Sequence, residues 1–597
     1  MSKAKTRGKK QPFFSASEIA NKIKDALSRD LLDHTQEYMV DQRTKHVQQS
    51  QSKDLLKKFL DPRLDTTALE CEAFQKFLEV NIHMHDFLEM SFPGESYVQS
   101  KMHSRDKILL RARALMHQVL GEFTVDEWFH ECKHSSGSSL DVSFTDTSVE
   151  KKFSFPMSST ERAKPFMEMY YLFDPSLREA VENSNCSYPV RERYKTYEGS
   201  RATTVDKDSS KRRMICVEPT ANMFLQQGIM HMMYKRMREF GLDVETLPET
   251  HQKRAMISSI TSREATIDWS SASDCVSIEL LRFLLPPKWF DMVDAIRSPI
   301  TVLNGHAIKL HMFSTMGNAV TFPLETLVFW TLAHGTLLTS DTSTNTLFPE
   351  WEDLRKVSVF GDDCIVPTHI AEDFISVCES VGFIINKDKS FYGDQQFRES
   401  CGGDYLAGRN VRDFYLKSPT SEKRSALEPW LYIIGNSVLE KYISYFGPTT
   451  YVYDKELFRL LFRLFAEYNL KIKVVPSFYP DDAGLQISDD LLRFASCYAF
   501  SLSEIAVDRH GTHSFLYTNF RYREKSKKHP EIRFACKIKQ NNPYKIAGLE
   551  KLEELKDRFS HLNLRSGKPT PRWVSTKRIG GYVVARGLTS RWEVPSI

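Results

Sequence analysis

Apolar positions recur at helical spacing through the first part of the chain. Ile19, Ile23 and Leu27 share one face behind the capping-box pattern Ser15-x-x-Glu18. Amphipathic segments follow near Leu55–Leu60 and Ile108–Leu120, and the second carries Arg111 and Arg113 among its apolar positions as snorkelling charges. The pattern then changes. Thr266-Ile267 reads as the end of a strand, and Ser277–Leu285 as a helix stopped by Pro286-Pro287. A long apolar helix is predicted over about Phe322–Leu338. Val357–Pro367 has two short, partly β-branched runs flanking Gly-Asp-Asp, the pattern of a tight β-hairpin with two carboxylates at its tip. Ala371–Val381 reads as a helix closed by Gly382. Phe383–Ile385 is strand-like, and Phe414–Leu416 reads as a returning strand.

From about 420 the pattern predicts a separate, mainly helical region. Pro429 suits a helix first turn, and Leu549, Leu552, Leu555 and Phe559 form one stripe of a charged helix.

Composition narrows the class. A hydrophobic content of 41% with 12% aromatics belongs to a folded protein. The net charge is only +4, so a polyanion would be held by local basic patches. The ten cysteines include no C-x2-4-C pair, which argues against a zinc ribbon or a disulfide framework and fits a reducing cytosol. No apolar run approaches a membrane span, and the basic N-terminus is not followed by the apolar stretch of a secretory signal.

Chemistry enters with the paired carboxylates. Asp362 and Asp363 repel each other at a hairpin tip unless a cation sits between them, and Mg2+ is a hard ion that takes such oxygen ligands. Asp268 lies at a strand's C-terminal end, where open sheets present ligands, and Asp274 is six residues on. If Asp268 and Asp362 converge with Asp363 beside them, they can hold two Mg2+ ions for an in-line phosphoryl displacement. Lys207, Lys211, Arg212 and Arg213 end a run of basic residues; a solvated charged loop and a lid over a polyphosphate both account for it. Ser314–Asn318 is a small-residue loop before the long helix, either an ordinary cap or a place where a sugar comes close. Near the C-terminus, basic residues from Arg565 to Arg591 alternate with Trp573, Tyr582 and Trp592. They could stack on single-stranded nucleic acid or form a docked terminal segment. Taken alone, these residues reach as far as a Mg2+-dependent nucleotidyl or phosphoryl transferase.

Longer stretches go further. Glu218-Pro219 with Asn222-Met223 and Gln227-Gly228, Ala265–Ser277, Leu285-Pro286-Pro287, Ser314–Phe329, Val359–Pro367, and Gly382-Phe383 through Phe397–Gly402 resemble the replicase β subunits of positive-strand RNA bacteriophages, the Leviviridae of Q-beta type. The resemblance covers about 205–420. It implies an RNA-directed RNA polymerase of α+β class shaped as a right hand, whose palm is an antiparallel sheet with the Gly-Asp-Asp hairpin and whose thumb is mainly helical. The division it implies is a helical extension over 1–90, fingers over 91–264, a palm over 265–420 with a short fingers insertion near 298–312, and thumb with a basic tail over 421–597.

By the same resemblance Asp268, Asp362 and Asp363 would be metal ligands for two Mg2+, with Mn2+ able to substitute. Asp274 and Asn318 would read the ribose hydroxyls. Lys207 and Arg213, with Lys211 and Arg212, would hold the triphosphate, and Lys389 would be the general acid. The partners implied are an RNA template, ribonucleoside triphosphates, host elongation factors Tu and Ts and a ribosomal protein, in the cytoplasm of a bacterial host and without a membrane.

The chain departs from that family at three points. Val205-Asp206-Lys207 stands where relatives have Val-Pro-Lys, Pro323 replaces a Glu, and Phe360 replaces a Tyr. A DNA-synthesising relative would carry an aromatic residue about five after the first Asp, and here that position is Ser273. A binding subunit with a dead palm would be expected to lose one of the three aspartates, and all are present. A Mg2+ phosphohydrolase would require neither the Gly-Asn loop nor the ordered basic segment.

Overall fold

The sheet at the centre explains why distant carboxylates meet. In the computed structural model, strands Ser358–Phe360 and Asp363–Pro367 pair antiparallel with Phe360 opposite Asp363, leaving Gly361-Asp362 as a two-residue turn. Gly361 takes φ +62°, the left-handed conformation such turns need, and a Cβ there would come within 2.7 Å of the Phe322 ring. The other edge of Asp363–Pro367 pairs with Glu264–Ile267, with Ile267 opposite Cys364. Asp268 therefore leaves its strand beside the point where Asp363 enters its own.

The structure describes most of residues 14–487, apart chiefly from 38–49, 144–151, 179–192, 341–348 and 447–454. Beyond 487 it describes the strands 505–507, 512–522, 573–586 and 589–593.

Helix Thr321–Ser340 runs under the sheet and is buried on nearly every side, which is why its sequence is apolar all round. Pro323 falls in its first turn, where the missing N–H costs no helical bond. Aromatic packing ties this helix to the sheet: Trp269 stacks on Phe329 at 5.1 Å, Phe383 lies 4.4 Å from Phe329, and Phe322 meets Phe360 edge-on at 4.9 Å. Helix Ser104–Leu120 packs on its far side.

A second sheet, in the order Lys211–Val217, Ser200–Asp208, Ile300–Leu303, His306–Lys309, carries the basic residues. Helix Thr67–His85 lies across Lys211–Val217 and reaches the short turn Ala272–Asp274. A separate apolar core joins Phe14–Leu31 of the N-terminal helix to Val411–Leu485, far away in sequence. At its centre Asp30 accepts from Tyr442 Oη at 2.6 Å and from the backbone N–H groups of Glu456 and Leu457 at 2.7 and 3.0 Å.

The molecule is a mixed helix-and-sheet protein of α+β class. Several local readings change. Phe383–Ile385 makes only an isolated bridge from Ile385 to Trp269, not a strand. Phe414–Leu416 is no strand either, because its backbone is spent on the N-terminal segment: Phe414 N–H donates to Gln51 Oε1 and Leu416 N–H to the Leu55 carbonyl. Pro429 lies inside helix Arg424–Phe446, past the first turn. The region after 420 is not mainly helical throughout. After helix Glu456–Glu467 every described element is a strand, and Thr512–Tyr522 and Trp573–Arg586 pair antiparallel, as suits runs rich in aromatic and β-branched residues. The stripe Leu549–Phe559 lies outside the described residues. Among the described residues no helix is long and apolar enough to cross a membrane.

Candidate active site

Asp268 is fixed by the segment after the helix Ala371–Glu379. Its carbonyl accepts from Asn386 N–H at 2.9 Å, its Oδ2 accepts from Asn386 Nδ2 at 2.5 Å, and its own N–H donates to Ser390 Oγ at 3.1 Å. Burial, then the charge of Asp362, pushes its carboxyl up to about 6. Asp363 is held by Cys401 N–H at 3.1 Å and is pushed up to about 7 by burial, then by Asp362 and Asp268. Asp362 is exposed at the turn. Desolvation raises its carboxyl, while its own backbone N–H and then Lys389, Arg213 and Lys207 pull it back down.

A further carboxyl lies beneath. Glu325, on helix Thr321–Ser340, is buried and held well above the ordinary range by burial and then by Asp362, Asp274, Asp268 and Asp363. The next residue, Thr326, accepts Gly361 N–H at 3.0 Å and so pins the hairpin turn to the helix. His251 braces the hairpin from the other side, with one ring nitrogen 2.9 Å from Ser400 Oγ and the other 2.8 Å from Ser358 Oγ.

Surplus negative charge from oxygen ligands is the condition a hard divalent cation relieves. Asp268, Asp362 and Asp363 fit it chemically, although as the side chains stand no group of three or more His, Cys, Asp or Glu among the described residues forms a ready metal cage.

Cations face these carboxylates from three directions. Lys207 sits at a bulge between Asp206 and Asp208, a break in pairing that re-aims a side chain. Burial, then Arg213, Lys389 and Lys76, lower its pKa, which shows how tightly positive charge gathers there. Arg213 lies close enough to act on both Asp362 and Asp274. Burial draws Lys389 down, but its 2.9 Å bond to Glu399 and then the charges of Glu399, Asp268 and Asp363 outweigh that and hold it above its ordinary value.

The structure does not bring all the basic candidates together. Arg212 points to the opposite face of its strand, where it donates to Asp206 at 2.6 Å and Thr204 Oγ1 at 2.8 Å and lies 3.7 Å from Glu70. Lys211 opens the strand at the far end of the hairpin, opposite Asp208.

Asp274 ends the turn Ala272–Asp274, where burial pushes it up to about 7 while the Met316 N–H, Lys76 and Arg213 pull it down. Asn318 is only 6% exposed, and its Oδ1 accepts from Val320 N–H at 3.0 Å.

Lys76 carries no local sequence signal for this site, and Asn386 and Glu325 lie inside the stretches that carry the resemblance without a role implied by it. They arrive by packing: Lys76 is an exposed position on helix Thr67–His85 beside the buried Phe77, and its charge acts on Asp274 and Lys207. His134 is buried against Phe153 and Phe224, and His130 packs on Phe173.

Residues 15–431 match the family described as RNA replicase, beta-chain. The RNA-directed RNA polymerase beta chain of Enterobacteria phage fr is 31% identical over 317 residues, 53% of this chain and 55% of that one. The corresponding chain of Escherichia phage MS2 is 31% identical over 328 residues, 54% of this chain and 57% of that one. The chain thus spans little more than half the length of the curated relatives it matches. Among solved structures, the RNA-dependent RNA polymerase of a human picobirnavirus aligns with a TM-score of 0.40 at 14% identity, over 76% of this chain and 82% of that one.

Proposed function

Because this chain belongs to the RNA replicase β-chain family, we propose that it is the catalytic subunit of a phage replicase, an RNA-directed RNA polymerase that starts without a primer and copies a positive-strand RNA genome. One observation carries this reading. Asp268 leaves its strand beside the Asp362-Asp363 turn, Arg213, Lys207 and Lys389 lie close enough to act on the charge of Asp362, and Lys389 acts on Asp268 and Asp363 as well.

Asp268 and Asp362, with Asp363 beside them, would hold divalent ions, Mg2+ by the hardness of the ligands. When bound, such ions supply activation of the attacking hydroxyl and stabilisation of the leaving oxygen. Arg213 and Lys207, joined by Lys76, hold the triphosphate and neutralise the charge that develops on it. Lys389 stays protonated beside Glu399 and stands ready to give a proton to the departing pyrophosphate. Asp274 and Asn318 define where the sugar lies. In this reading the central sheet is the palm, the basic sheet belongs to the fingers, and the helices after 420 begin the thumb.

Host elongation factors Tu and Ts and a ribosomal protein are the proposed partners, in the bacterial cytoplasm. The test is incorporation of labelled ribonucleotides on a single-stranded RNA template, by the purified chain and by the chain with bacterial extract. Product complementary to the template supports the reading, and a need for extract supports host subunits. Template-bound RNA with no product in either arm would replace it with a binding subunit.

A further inference from the structure

Glu218 is a buried carboxylate, 2% exposed, at the junction between strand Lys211–Val217 and helix Thr220–Glu239. Ser298 Oγ donates to it at 2.6 Å, and the side chains of Gln226 and Asn318 bond to it as well. Arg297 donates to Asp294 at 2.6 Å and acts on Glu218 only through its charge. Burial raises Glu218 to about 7 against the pull of those hydrogen bonds. An acid in such a place is costly unless its bonds do something.

What they hold is the loop Ser314–Ala319. The Asn318 amide has its oxygen on Val320 N–H, so its Nδ2 is the end that reaches Glu218. Gln226 accepts Ala319 N–H at 3.3 Å and donates to the Ile296 carbonyl at 2.9 Å. The Met316 carbonyl accepts Cys216 N–H at 2.8 Å, and the Met316 N–H bonds Asp274. Gly317, at φ +121°, lies so flat on this strand that a Cβ would sit 2.2 Å from the Cys216 carbonyl oxygen. One loop therefore carries Asn318 and steadies Asp274, and Glu218 bolts that loop to the strand that bears Arg213.

We propose that Glu218 is a positioning residue for sugar selection: by fixing the Asn318 amide it sets the distance between the triphosphate contacts and the groups that meet the ribose, and so the preference for ribo- over 2′-deoxynucleotides. This rests on the polymerase reading above. A site built to bond a hydroxyl rejects the analogue lacking it strongly, and a misplacement of about 1 Å costs on the order of a hundredfold.

The experiment compares kcat/KM for a ribonucleoside triphosphate and its 2′-deoxy counterpart in the active preparation, for wild type, Glu218→Ala, Glu218→Gln, Ser298→Ala and Asn318→Ala. Glu218→Ala lowers the ribo-to-deoxy ratio about tenfold or more, whereas Glu218→Gln, which keeps the size and an acceptor oxygen, stays within about threefold. Ser298→Ala, a milder change outside the loop, shifts the ratio in the same direction and decides the matter if Glu218→Ala does not fold. Combining Glu218→Ala with Asn318→Ala deepens the loss no further than Asn318→Ala alone. Equal losses for both sugars, with the ratio unchanged in Glu218→Ala and Ser298→Ala, would reduce Glu218 to a structural part and overturn the inference while leaving the polymerase reading intact. A wild type that makes no RNA overturns both.

Discussion

Asn386 grips Asp268 twice, with its backbone N–H on the Asp268 carbonyl at 2.9 Å and its side-chain Nδ2 on Oδ2 at 2.5 Å. One carboxylate oxygen is thereby committed, and the charge of Asp362 acts on the group. Groups that orient a ligand in this way commonly matter by ten- to a hundredfold in metal affinity or activity. Asn386→Ala is expected to raise the Mg2+ concentration needed for half-maximal incorporation by about tenfold. A Mg2+ titration of the variant checks this, and an unchanged midpoint would mean the contact is only structural.

Neighbouring arginines are expected to behave oppositely. Arg213 acts on Asp362 and Asp274, whereas Arg212 is turned to Asp206 and Thr204. Arg213→Ala should raise the KM for nucleoside triphosphates by about tenfold or more through loss of a charge-assisted contact. Arg212→Ala should leave KM within about twofold, since partly exposed ion pairs contribute little. Steady-state kinetics on the two variants separates them, and equal effects would contradict the assignment of faces.

The buried His251 predicts a pH dependence of stability. Burial, then Arg254, pushes its imidazole down to about 3, so the folded chain leaves it neutral where the unfolded chain protonates it below about 6.5. The unfolded state binds more protons in that window, and stability falls as pH drops from about 6.5 toward 3, by at most about 1.4 kcal/mol per pH unit from this group. The carboxyls of Asp274 and Glu218, raised to about 7, run the other way and weaken the fold as pH rises through their window. Denaturant unfolding of wild type and His251→Gln at pH 7 and pH 5 isolates the histidine: the variant should lose less stability on acidification than the wild type does. An identical loss in both proteins would contradict it.

Asp30 is expected to act as a clamp between the chain's beginning and its later helices. Its contacts to Tyr442 and Leu457 are buried and that to Glu456 is partly so, and Asp30→Ala leaves these donors unsatisfied and should cost about 2–4 kcal/mol. Limited proteolysis should then cut helix Ala16–Glu37 early. Wild-type resistance in the variant would show that the apolar contacts alone hold it.

Much of the centre was legible because it is local. Gly361 between two apolar runs announces its turn, and Thr266-Ile267 announces the strand that ends at Asp268. The long helix is plain from its apolar length, whereas the α+β class rests on the resemblance to the replicase family and not on any one element. Other features depend on distance in space. Nothing near Lys76 in sequence marks it as a neighbour of Asp274, and the residues around Asn386 do not show that it grips Asp268. Phe414–Leu416 has the composition of a strand, yet its partners are Gln51 and Leu55, about 360 residues earlier, and they make no sheet. Arg212 and Arg213 look alike as a basic run, and only the alternation of the strand separates their faces.

We propose that Asp362 belongs to a Mg2+-dependent polymerase centre. The measurement that tests it most directly is Mg2+-dependent ribonucleotide incorporation on an unprimed RNA template, for wild type and Asp362→Asn in the presence of bacterial extract, with RNA binding measured on the same preparations. Template-directed product is expected from wild type and none above background from Asp362→Asn, with RNA binding retained by both. Equal incorporation by the two proteins would contradict it.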